Sequence, residues 1–188
     1  LVAITAHLGL FREAQLKMSE TIFVRGGVGG VGSMVVQMAK AIGATVIATA
    51  GNEKKAKLCQ QLGADHVIDY TQGDLQAKIL ELAPGGVNVF WETLREPDFD
   101  LSVNVMAERG RMILMAGRDA RPEFPVGPFY VKGCALKGFA MFKATADEQR
   151  ACASDINHWL ATGRLKPLID RTLPISQAAE AHRLQEAH

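Results

Sequence analysis

An excess of charge of either sign is missing from this chain: 21 Lys and Arg face 20 Asp and Glu, a formal net charge of +1 over 188 residues. No basic field is therefore available to hold a nucleic acid backbone, and no aromatic–basic interleaving hints at one. Long hydrophobic runs are missing too; none approaches the roughly 20 residues needed to cross a bilayer. From Leu1 onward there is neither the basic start nor the small-residue cleavage site of a secretory signal. Cysteine is scarce. Cys59, Cys134 and Cys152 are odd in number and far apart, which argues against a disulfide framework or a Cys-x-x-Cys zinc lobe and suits packing thiols kept reduced in the cytoplasm. The histidines, His7, His66, His158, His182 and His188, are equally dispersed. They form no triad and no metal-ligand spacing, so no metal is expected and no catalytic residue is assigned.

What is present is one glycine-rich run. Thr21 to Val24 reads as an apolar strand, and it leads through Arg25 into Gly26-Gly27-Val28-Gly29-Gly30-Val31-Gly32. Gly27, Gly29 and Gly32 satisfy G-x-G-x-x-G, a pattern that is weak alone and strong between a strand and a helix. Val31, Met34, Val35, Met38 and Ile42 then share one helical face until Gly43, and Thr45 to Thr49 is a second buried strand. In such a unit one glycine permits a tight turn at positive φ, and the next lets a pyrophosphate approach the backbone. The last, Gly32, lets the helix pack closely, while the helix N-terminus points free N–H groups at the anion.

Strand and helix signals alternate along the rest of the chain. Thr5 to about Lys17 reads as a helix with Leu8 and Phe11 inward. Asn52 suits the N-cap of a helix over 53–62, ended by Gly63; His66 to Tyr70 is a third strand. A helix after Thr71 closes at Pro84-Gly85-Gly86, and Val87 to Trp91 is a fourth strand. Pro97 suits the first turn of a helix to about Ala107, Arg111 to Met115 a fifth strand, and residues 121–128 a proline-rich loop. Ala135 to Phe139 is a sixth strand. Thr145 and Glu148 form a capping box before a helix ended by Gly163, Leu168 to Leu173 is extended, and Ser176 caps a last amphipathic helix. Strands separated by helices of this length give an α/β fold, a doubly wound parallel sheet of the Rossmann dinucleotide-binding type over residues 1–188.

The second strand ends in Ala48-Thr49-Ala50-Gly51-Asn52, with no acid at its tip to accept from a ribose 2′-OH and repel a 2′-phosphate. Lys55 lies one helical turn on and could meet that phosphate as a point charge, with Tyr70 from the adjacent strand donating its hydroxyl. The alternative is that Lys55 is solvated like Lys54 and Lys57 and that Tyr70 is a rim residue, with Glu53 offsetting the local field. NADP(H) is favoured over NAD(H).

Five stretches, Thr5-Ala6-His7-Leu8-Gly9-Leu10, the Gly26–Gly32 loop, residues 41–44, residues 62–70 and residues 165–169, together with Ala178-Ala179-Glu180-Ala181-His182, resemble the zinc-independent quinone oxidoreductases of the medium-chain dehydrogenase/reductase superfamily. The resemblance covers essentially the whole chain. It implies a two-domain NADPH-dependent enzyme in which a GroES-like substrate domain precedes this segment and a last strand follows it. It implies hydride transfer to a quinone or activated alkene as small-molecule substrate, and a homodimer through strand six. By resemblance, Gly29, Gly30 and Val31 line the pyrophosphate, and Ala50, Gly51, Lys55 and Tyr70 surround the adenosine ribose and its 2′-phosphate. Thr5 and Thr93 approach from neighbouring loops, Ala116 and Gly117 flank the nicotinamide, and Phe139 is brought toward it. Two departures stand out. Arg95 occupies a place often held by glycine, and Arg118 and Arg121 lie on the loop after strand five, either solvated or facing an anion. An enoyl-thioester reductase domain and a non-catalytic NADPH-binding sensor remain as rivals.

Overall fold

The strands that positive-φ glycines and buried β-branched runs delimit are β1 (Thr21–Val24), β2 (Thr45–Ala50), β3 (His66–Asp69), β4 (Val87–Glu92), β5 (Met106–Leu114) and β6 (Ala135–Gly138). In the computed structural model, which describes residues 1–187 and so leaves His188 outside, they pair in parallel in the order β3-β2-β1-β4-β5-β6. This is the doubly wound order, whose direction of winding reverses between β1 and β4. Side chains alternate across the sheet. Ile22, Val24, Val89, Trp91 and Ile113 face α1 (Val2–His7), α2 (Gly30–Ala41) and α7 (Ala146–Ala161). On the opposite face Phe23, Ile47, Phe90 and Met112 meet α4 (Leu75–Leu82), α5 (Phe99–Val105) and α6 (Val126–Val131). α3 (Glu53–Gln61) joins the first face through Cys59, and the exposed α8 (Ala178–Glu186) follows.

Caps explain most helix starts. Asn52 accepts from the Lys55 amide at 2.9 Å, and Thr145 with Glu148 completes a capping box on α7. Gly43 and Gly63, at φ of 87° and 106°, end α2 and α3. Several expected boundaries move. α4 starts at Asp74 rather than after Thr71, because the Asp74 carboxylate accepts from the Ala77 amide. α5 is capped by Asp98, so Pro97 precedes the helix instead of opening its first turn. α5 also stops at Val105 and β5 begins at once, because Lys132 Nζ donates to the Val103, Asn104 and Met106 carbonyls at 2.8, 2.9 and 2.9 Å. The proline-rich loop turns into α6 at Val126. Ser176 sits inside a 3-10 turn over Ile175–Gln177 and caps nothing.

The largest change is in the first helix. After α1 the chain widens into a π-helical segment, Leu8–Glu13, with the Ala14 amide donating to the Gly9 carbonyl. A Cβ on Gly9 would stand 2.3 Å from the Trp91 ring, so the buried indole is seated directly against this backbone. No local pattern in the sequence signals that contact.

Arg111 ties β5 to the segment before β1. Its guanidinium donates to the Ala14 carbonyl at 2.8 Å and to both Glu20 oxygens at 2.9 and 2.7 Å. Burial alone would raise the Glu20 carboxyl, but the Arg111 and Lys17 hydrogen bonds outweigh it and hold the pKa below the ordinary range. Asp65 behaves likewise, offset by Lys40 at 2.5 Å and the Val46 amide. A carboxyl with a depressed folded pKa stabilises the fold above its unfolded pKa, and that stability is lost as pH falls through the folded value. Thermal melts should therefore show Tm dropping as pH passes below about 4. Glu20→Gln should lower Tm at neutral pH and flatten the acid loss; an unaltered acid profile would take Glu20 out of this account.

Candidate functional site

At the reversal of strand order, the carboxyl ends of β1, β2 and β4 part to leave a cleft of about 420 Å³. Its floor is the glycine turn. The Gly26 amide donates to Thr49 Oγ1 at 2.9 Å and the Gly27 amide to the Thr49 carbonyl at 3.2 Å, which pins the turn to the β2 tip. The positive φ of 74° falls on Gly26, one residue ahead of the G-x-G-x-x-G triad. Gly27 is required for another reason: a Cβ there would meet Cys59 Sγ at 2.5 Å and Ala48 at 2.8 Å. Burial pushes the Cys59 thiol up to about 11, so it stays a protonated packing group beneath the turn. Gly32 packs closely, but on the turn's own backbone, since its Cβ would stand 2.2 Å from the Gly26 carbonyl oxygen.

α2 begins at this turn with Gly29 as N-cap, no capping side chain and no acid in its first turn. The first amides of a helix have no intrahelical partner, and the dipole adds partial positive charge, so this end is open to an anion. At the β2 tip, Gly51 admits the Tyr70 ring: a Cβ would lie 2.6 Å from the phenol oxygen. Lys55 is exposed at the rim, and among the described residues it has no acidic partner. Glu53, the nearest acid in sequence, pairs instead with Lys57 at 2.7 Å. At the far end, Thr93 Oγ1 donates to the Arg25 carbonyl at 2.9 Å, and Met115 and Ala116 close the wall.

Nine residues singled out from the sequence thus line one cleft: Gly29, Gly30, Val31, Ala50, Gly51, Lys55, Tyr70, Thr93 and Ala116. Three do not. Thr5 is buried in α1, its hydroxyl donating to the Leu1 carbonyl at 3.2 Å. Phe139 packs against Gly9 and under the Arg12 guanidinium, 5.8 Å from its ring centre. Gly117, at φ of 80°, lines the neighbouring hollow. The cleft is also lined by Gly26, Val28 and Gly32 of the glycine run and by Thr49 and Met115, none of which the sequence reading assigned as a cofactor contact. Thr49 is the instructive omission, because its hydroxyl points across to β1 and only the sheet order reveals that.

A buried ion pair underlies the β1 and β4 tips. Glu92 is fully buried, its Oε1 accepting from the Thr93 and Leu94 amides at 2.8 Å each, with Arg25 Nε 3.6 Å from Oε2. Arg25 lies over Phe90 and lines an adjoining, mostly apolar pocket of about 310 Å³ with Thr49, Tyr70, Leu75, Thr93 and Leu94. Among the described residues no group of three His, Cys, Asp or Glu side chains could hold a metal ion, and no helix is long and apolar enough to cross a membrane.

A doubly wound sheet with a glycine turn feeding an open helix N-terminus at its switch point defines a nucleotide-binding domain. The chain belongs to the zinc-binding dehydrogenase family, whose profile matches residues 30–156. It is 30% identical to the quinone oxidoreductase of Sus scrofa over 179 residues, 95% of this chain and 54% of that protein. The chain thus spans about half the length of the curated relatives it matches. Among solved structures, a mycobacterial protein complexed with NADPH aligns with a TM-score of 0.86 at 28% identity, over 100% of this chain and 59% of that one. The Escherichia coli quinone oxidoreductase complexed with NADPH gives 0.83 at 26%, over 100% and 60%.

Proposed function

We propose that the chain is the cofactor domain of an NADPH-dependent reductase that transfers hydride to a quinone or activated alkene. The observation that carries this is the cleft itself: a glycine turn that side chains do not fill, open amides at the α2 N-terminus, and, one helical turn past a β2 tip that holds no acid, a lysine without an acidic partner among the described residues. Gly29, Gly30 and Val31 would hold the pyrophosphate, Ala50 and Gly51 the ribose, and Lys55 with Tyr70 the 2′-phosphate. The apolar pocket beside Arg25 has the volume for the purine, and Thr93 and Ala116 would border the nicotinamide end. Gly117 would shape the loop beside them, with Thr5 and Phe139 packing the elements behind. When bound, the reduced dinucleotide supplies the hydride; the protein supplies position and the exclusion of water. The relatives' greater length supports a second, substrate-binding domain and a closing strand in the whole enzyme.

Two further parts belong to the same proposal. The whole enzyme works in the reducing cytoplasm, which free Cys59, Cys134 and Cys152 support. It also forms a homodimer through β6, one of the two edge strands, which carries exposed Leu136 and follows exposed Tyr130 and Val131; a monomeric mass in light scattering would remove the dimer. Fluorescence titration with NADPH and NADH tests the cofactor reading. NADPH is expected to bind the more tightly, and equal affinity or a preference for NADH would overturn the assignment.

A further inference from the structure

Beside the cofactor cleft, and sharing Met115 and Ala116 with it, lies a second open hollow of about 620 Å³ between the loops that follow β4 and β5. Its walls carry Arg95 and Arg118, both exposed. Among the described residues, six of the chain's eleven arginines pair with an acid: Arg12, Arg25, Arg111, Arg150, Arg171 and Arg183. Arg95 and Arg118 pair with none among the described residues, although Glu96 and Asp119 line the same hollow. Their backbones, by contrast, are fixed. Glu92 holds the Thr93 and Leu94 amides on one side of Arg95, and buried Pro97 follows on the other. Gly117 at φ of 80° would place a Cβ 2.5 Å from the Arg95 carbonyl oxygen, so the two loops touch backbone to backbone and bring the arginines to one hollow. The Ala120 amide closes the turn around Arg118 by donating to the Gly117 carbonyl at 3.1 Å. Two cations on braced turns, with no partner and with the nicotinamide end of the cleft next door, form a prepared receptor for an oxyanion.

We propose that Arg95 and Arg118 hold an anionic group of the substrate, so that the acceptor of the hydride carries a carboxylate or a phosphate rather than being a neutral quinone. The proposal rests on the cofactor assignment above, and it makes these arginines specificity residues rather than catalytic ones. Placing the charge on them sets the rest of the substrate toward Ala116. A carboxylate and a phosphate share the chemistry of recognition, and the experiment separates them.

The test uses the chain saturated with NADP⁺, so that no turnover occurs and its phosphate sites are filled. Calorimetry follows the binding of crotonate, of inorganic phosphate and of the neutral ketone 3-penten-2-one. At least one anion is expected to bind about tenfold or more tightly than the ketone, the scale of a charge-assisted hydrogen bond. The better anion names the group. Arg95→Gln with Arg118→Gln should abolish that margin while NADP⁺ affinity stays as in the parent chain. Anions bound no better than the ketone, or equally well by the double variant, would overturn this proposal alone. A parallel loss of NADP⁺ affinity would also overturn it, by giving the arginines to the cofactor's phosphates. Failure of the parent chain to bind NADP⁺ would remove the cofactor assignment and this proposal with it.

Discussion

Gly32→Ala is expected to abolish measurable NADPH binding and to lower the melting temperature. The new methyl would stand 2.2 Å from the Gly26 carbonyl oxygen, an atom of the backbone that cannot rotate away. Either α2 slides off the turn or the turn itself moves. Overpacking of this kind costs about 1–3 kcal/mol of stability. Binding suffers more, because hydrogen bonds to a charged group contribute roughly 1.5–3 kcal/mol each, and displacing two amides of the α2 N-terminus would cost about 3 kcal/mol or more, over 100-fold in Kd. Gly30→Ala is the control. Its methyl would meet only Val2 Cγ1 at 3.4 Å, so the fold should be unaffected while the wall facing the pyrophosphate gains a methyl group. Gly32→Ala protein that melts and binds like the parent would show that the turn does not set the cleft.

The second large effect is on cofactor choice. Lys55→Glu should weaken NADPH by roughly 1–3 kcal/mol, about 5- to 150-fold, with a much smaller change for NADH. The charge of Lys55 is free for this, since Asn52 engages only its amide and Glu53 is taken by Lys57. Its side chain is exposed, so added salt should shrink the difference between the two cofactors. Equal losses for NADPH and NADH in a fluorescence titration would show that Lys55 reads no 2′-phosphate.

Much of the arrangement was written in local pattern. The strand–glycine turn–helix–strand unit, the Asn52 cap, the Thr145–Glu148 box and the glycines at 43 and 63 depend on residues within a few positions of one another, and the structure places each as expected. The starts of α4 and α5 moved to local caps, Asp74 and Asp98, that the sequence reading did not take as caps, but two other boundaries slipped where a distant group decided them. Lys132 ends α5 from 26 to 29 residues away, and Trp91 occupies the space against Gly9 where the first helix widens. The same division runs through the cleft. The glycine turn and the acid-free β2 tip were legible because spacing suffices to identify them, whereas the residues alone left Lys55 either beside a 2′-phosphate or solvated. Thr49 and Arg25 were not legible, because their partners lie 22 to 68 residues away across neighbouring strands, and the same separation hid the pairing of Glu92 with Arg25.

By itself, then, the sequence determined the alternation of strand and helix, the turn chemistry and the absence of an acid at the β2 tip, all of them short-range properties of backbone and side chain. The tertiary structure alone decided which glycine takes the positive φ, that Thr5, Gly117 and Phe139 lie off the cleft, and that Arg95 and Arg118 share a hollow. Those outcomes depend on which strand ends become neighbours when the sheet reverses its winding, and side-chain packing across the sheet settles that only when the whole core is assembled.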